Sequence, residues 1–132
     1  MTTPSPAGRD RVAATPDPSG ASRWWRWAFC GALAVQLVVL YLPRAPAGPS
    51  VNGFDKLVHL SIFAAPALAA LVVGIRPRWA LGILALHAPI SELIQHFVLP
   101  HRSGDIFDVL ADLSGILIGA LAYLVWSRRQ RW

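Results

Sequence analysis

The chain has 132 residues, 55% of them apolar and only 14% charged, with a mean hydropathy of +0.47. That length fits one domain, and the charged fraction lies well below the roughly 25% of soluble domains. The single cysteine, Cys30, excludes a disulfide framework, a four-cysteine zinc site and a CxxC redox pair. The net charge of +5 does not point to nucleic acid, because the eleven arginines and Lys56 punctuate apolar runs instead of forming one stripe.

Residues 1–22 hold four prolines and almost no bulky apolar side chain. They bury too little to offset the entropy of ordering and are expected to form a disordered tail. Four apolar stretches follow, expected as helices over about 24–42, 57–75, 79–99 and 106–126. The first, prefaced by Arg23-Trp24-Trp25-Arg26, is 19 residues long, enough to cross a hydrocarbon core of about 30 Å. Ala45-Pro46-Ala47 loosely imitates a signal-peptide cleavage site, but the long polar segment before the apolar run and the flanking proline and arginine favour a retained span. The second stretch ends at Arg76-Pro77-Arg78, the third contains His87, Glu92, Gln95 and His96, and the fourth contains Asp108 and Asp112 before a basic end at 128–132. The expectation is an all-α, integral-membrane four-helix bundle over residues 23–127, with short loops.

Basic residues set the expected orientation. Arg9, Arg11, Arg23, Arg26, Arg76, Arg78, Arg128, Arg129 and Arg131 fall on one side, against Arg44, Lys56 and Arg102 on the other. Nine against three places both termini in the cytoplasm, and Trp24, Trp25, Trp79 and Trp126 gather near that inner interface. Loops 43–56 and 100–105 then face outward.

With this topology the polar residues converge on the outer end. Asp55 and His59 share a face of the second helix, with Lys56 beside them. Glu92, Gln95 and His96 share a face of the third, and Asp105, Asp108 and Asp112 a face of the fourth. Helical rise puts Glu92 and Asp112 at similar depth, about 10 Å below the outer boundary, with His59 above them. An ionised carboxylate at depth costs at least ~2.5 kcal/mol, so so many charges imply a polar cleft with Arg102, Lys56 and His59 as compensators. His87 lies on another face and is expected to be a hydrogen-bonded packing residue. Pro66 and Pro89 free the carbonyls of Ile62 and Ala85, which predicts kinks. Gly115 and Gly119 form a GxxxG pair that permits close helix approach, within the bundle or between copies of the chain.

Asp55-Lys56-x-x-His59, Glu92-x-x-Gln95, then Arg102 and Asp108 followed by Gly115 and Gly119 resemble the VanZ-like family of small bacterial membrane proteins, over roughly residues 27–126. The family pattern has Asn where this chain has Asp112, which adds a charge or a proton at that position. The family takes its name from a protein linked to low-level resistance to the glycopeptide teicoplanin. The resemblance therefore implies a cell-envelope role in the bacterial plasma membrane without supplying a reaction.

Three functions compete. The first is recognition of an anionic or lipid-linked envelope headgroup, an envelope precursor or a phospholipid. Arg102 would meet phosphate or carboxylate bidentately, while Glu92, Gln95 and Asp108 read hydroxyls or amides; Asp55, Lys56, His59 and Asp112 complete the expected binding set. The second is an intramembrane hydrolase or transferase, with His59 as base oriented by Asp55 or Asp108 and Glu92 as acid. A metal form would use His59, Glu92 and Asp108 with His96 or His101, but no HExxH or comparable compact motif is present, so neither metal nor cofactor is expected. The third is a small proton-coupled transporter relaying protons through Glu92, Asp112 and His59.

Overall fold

A computed structural model describes residues 18–43, 53–99, 102 and 104–130. Residues 1–17, Arg44, Ala45-Pro46-Ala47, His101 and Arg131 lie outside the described residues, and with them most of the expected tail, the imitated cleavage site and one candidate metal ligand. Four helices form the described structure: α1 (Pro18–Tyr41), α2 (Phe54–Val73), α3 (Pro77–Phe97) and α4 (Ile106–Arg129).

The helix ends follow local chemistry more than hydropathy. Proline is tolerated in a first helical turn, where its missing N–H has no partner to lose, and α1 and α3 both begin on one. Hence α1 reaches back to Pro18, inside the segment expected as tail. At the other end of α2, Gly74 adopts the left-handed region at φ 95°. Its N–H and that of Ile75 donate to the carbonyls of Leu71 and Ala70, closing the helix. Asp105 caps α4, its carboxylate accepting from the Phe107 N–H at 3.0 Å. α2 and α3 run on through Pro66 and Pro89.

α2 and α4 lie parallel and make the most extensive packing in the bundle. The glycine pair is the reason. A Cβ on Gly115 would collide with the Leu60 carbonyl, and one on Gly119 would stand 2.5 Å from the Ala64 carbonyl oxygen. Of the two uses the sequence left open for this pair, the structure records the one inside the bundle. α1 and α3 run antiparallel to that pair and pack on it. Leu40, Ile62, Phe63, Ala67, Leu84, Ala88 and Ile116 form the main apolar core.

The remaining surface is apolar. Trp27, Val35, Val38, Ile83, Leu86, Leu93, Leu117, Leu121 and Leu124 are all exposed, while Gln36, His59, Ser91, Glu92, Gln95, Asp108 and Asp112 are buried. This inverts the distribution that water selects and is the one a bilayer selects. Among the described residues three helices are long and apolar enough to cross a membrane, where four were expected. α3 has the length, at 21 residues, but its His87, Ser91, Glu92, Gln95 and His96 lower its hydropathy.

Candidate functional site

The polar residues gather where α2 and α4 begin and α3 ends. His59 sits in the second turn of α2 because that helix starts at Phe54, three residues before the expected start. It therefore lies level with the carboxylates and not above them. Its Nδ1 is 3.0 Å from Asp112 Oδ1 on α4 and 3.7 Å from Glu92 Oε1 on α3. All three side chains are buried, Asp112 completely. The second oxygen of Glu92 accepts the Asp105 backbone N–H at 3.0 Å.

A second layer lies nearer the end of the bundle. Lys56 Nζ is 3.0 Å from Asp55, 3.2 Å from Asp108 and 3.4 Å from Asp105. The exposed Asp55 thus pairs with its neighbour Lys56, and the carboxylate that holds His59 is Asp112, in place of the expected Asp55 or Asp108. Arg102 donates from Nε to Gln95 Oε1 at 3.2 Å and from Nη1 to the carbonyls of Val39 and Leu42 at 3.0 and 3.3 Å. It satisfies carbonyls at the open C-terminal end of α1, which have no helical donor of their own, and ties that end to α3.

Of the expected site residues, then, His59, Glu92 and Asp112 meet at the centre, Lys56 and Asp108 join above them, and Gln95 and Arg102 form the side facing α1. His96 is exposed and packs edge-on against Phe97, although it borders the groove described below. His87 lies apart, accepting or donating at 2.9 Å to the Tyr41 hydroxyl beside Phe63, as a packing residue should.

Two buried features escaped the sequence reading, one within the site and one away from it beside His87. Gly104 lets the chain leading into α4 lie directly on α3, for its Cβ would strike the Glu92 carbonyl. That approach is what delivers the Asp105 N–H to Glu92. Gln36, in the middle of α1, is fully buried with neither amide atom bonded among the described residues. A glutamine interrupting an otherwise apolar run was the available signal.

Several buried polar atoms of the site lack a partner among the described residues: Glu92 Oε1, Asp112 Oδ2 and Gln95 Nε2. Buried polar groups are nearly always satisfied, so three in one place mark a position built for something else. An open groove of about 270 Å³ between α3 and α4, lined by Pro89, Glu92, Leu93, Gly104, Asp105 and Val109, reaches the site at Glu92.

These features define a membrane helical bundle with a polar site buried at one end. The family model for VanZ/LLP1 matches residues 16–127, and the chain belongs to that family. The match takes in α1, α2, α3, α4 up to residue 127 and every residue of the site. No curated protein and no solved structure matches the chain.

Proposed function

We propose that this protein is a cell-envelope membrane protein whose buried polar site takes the headgroup of a lipid or lipid-linked envelope precursor. The observation that carries the reading is the set of buried polar atoms without a partner among the described residues, Glu92 Oε1, Asp112 Oδ2 and Gln95 Nε2, together with an open groove between α3 and α4 that reaches Glu92. Two acceptors and one amide donor suit a headgroup rich in hydroxyls or amines, and Arg102 beside Gln95 supplies a cation for its phosphate. The apolar walls of the groove, Pro89, Leu93 and Val109, suit the adjoining acyl or prenyl chain. The positive-inside distribution of arginines turns this end outward, the side on which glycopeptide resistance would be exerted.

Native mass spectrometry of the detergent-extracted protein tests it. The parent is expected to carry an envelope lipid that Gln95→Leu and Arg102→Ala lose by at least tenfold. Equal lipid retention in all three proteins, or a bare parent, overturns the reading.

A second reading rests on the 3.0 Å contact between His59 and Asp112, the geometry of an oriented general base. Under it the protein cleaves or transfers the same headgroup. Turnover lost in His59→Ala while the lipid remains bound would select this reading over a receptor.

A further inference from the structure

The centre of the site is short of positive charge. Lys56 already faces three carboxylates and Arg102 is turned toward Gln95 and the end of α1. That leaves Glu92 and Asp112, both buried, with His59 alone between them. Even a protonated imidazole balances only one of the two carboxylates. A divalent cation with neutral imidazole and two carboxylates balances completely.

The geometry matches. One ligand atom from each of His59, Glu92 and Asp112 lies within 4.8 Å of the other two. Donors about 2.1 Å from a metal ion stand roughly 3.0 Å apart in octahedral and 3.4 Å apart in tetrahedral arrangement. The observed separations from His59 Nδ1 are 3.0 Å to Asp112 and 3.7 Å to Glu92. The unpartnered atoms are an independent sign. Glu92 Oε1 and Asp112 Oδ2 are buried without hydrogen-bond partners among the described residues, and both residues are 95% or more withdrawn from solvent.

We infer that His59, Glu92 and Asp112 bind a first-row divalent metal ion of the Zn²⁺ or Fe²⁺ kind. One nitrogen and two oxygen donors suit such borderline ions better than a soft ion like Cu(I) or a hard, all-oxygen ion like Ca²⁺. Three protein ligands leave at least one coordination position open, the arrangement of sites where the metal meets a ligand. The groove reaches the cluster at Glu92, so that position is approached from between α3 and α4. Three helices supply one ligand each, which is why no linear spacing announces the site. For the identity of the group that completes the coordination shell, the inference rests on the headgroup reading. Metal binding itself does not.

The test uses the full chain in detergent, stripped with EDTA and reloaded with Zn²⁺ or Co²⁺. The parent is expected to retain one Zn²⁺ per chain, to give visible Co²⁺ absorption without thiolate charge-transfer bands, and to melt at higher temperature with Zn²⁺ than without. Asp112→Asn and Glu92→Gln keep side-chain shape, so they preserve helix content while weakening Zn²⁺ binding at least tenfold and removing the thermal shift. A parent that retains no stoichiometric Zn²⁺ overturns the inference. So does binding equally strong in both variants, which would place the ion elsewhere. Lipid read by native mass spectrometry of the same samples separates the two proposals: lipid without metal sinks this inference alone, and metal without lipid sinks only the headgroup reading.

Discussion

Asp105 ties three parts of the site together. Its backbone N–H donates to Glu92, one carboxylate oxygen caps α4 through Phe107, and the other faces Lys56. These roles separate by mutation. Asp105→Ala removes the cap, at about 1 kcal/mol, and a half-exposed ion pair of little value, yet leaves the backbone bond to Glu92. Gly104→Ala does the reverse. Its methyl group meets the Glu92 carbonyl, a backbone atom that cannot swing aside, so the loop must lift off α3. Overpacking of this kind costs about 1–3 kcal/mol. Thermal unfolding in detergent should therefore rank Gly104→Ala at or below Asp105→Ala. A tolerant Gly104 and a severely destabilised Asp105→Ala would mean that the side chain, not the backbone approach, holds Glu92.

The α2–α4 crossing places His59 against Asp112, because the register that seats Gly115 on Leu60 and Gly119 on Ala64 also brings Asp112, one turn before Gly115, beside His59, which precedes Leu60. Gly119→Val is expected to destabilise the bundle by at least about 1–3 kcal/mol, as helices whose backbones touch have no slack for a branched side chain. Gly115→Ala, nearer the site, should in addition widen the His59–Asp112 contact. Chemical denaturation for the first and the imidazole chemical shift for the second would register these changes. An unperturbed His59 signal in Gly115→Ala would show that the glycine contact does not set that distance. This crossing also marks how much was legible beforehand. The four helices were readable because arginine, proline and loop residues punctuate apolar runs, and the convergence of Glu92, Asp108 and Asp112 at one end followed from helix direction. Which carboxylate meets His59 was not, because it depends on the start of α2. Phe54-Asp55-Lys56 join the helix after the left-handed Gly53, whose carbonyl accepts the Leu57 N–H, although hydropathy marks no start there, and those three residues lower His59 to the depth of Asp112. GxxxG was visible as a pattern, but a sequence does not say which backbone fills the groove it leaves.

At the scale of the whole molecule, the ends of the bundle differ in kind. One carries the polar site, with five of the chain's seven acidic residues in Asp55, Glu92, Asp105, Asp108 and Asp112. The other carries Arg23, Arg26, Arg76, Arg78, Arg128 and Arg129, with Trp25 and Trp126 packed 6.2 Å apart and Arg78 over the Trp79 ring. The arginines favour this second end in the cytoplasm, while the tryptophans fit a headgroup-level interface on either side. Orientation can be read with two exposed positions, Val98 beside the site and Gln130 at the opposite end. In a Cys30→Ala background, a membrane-impermeant maleimide should label Val98→Cys on intact spheroplasts, and Gln130→Cys only after permeabilisation. The reverse pattern would put the site in the cytoplasm, where a headgroup is met before export, and the link to an antibiotic acting outside would then have to run through precursor supply. Labelling of both positions on intact spheroplasts would mean two orientations coexist. The nine-to-three asymmetry in basic residues argues for the first pattern alone, since a Lys/Arg bias in short loops and beside the spans sets the orientation of a bundle.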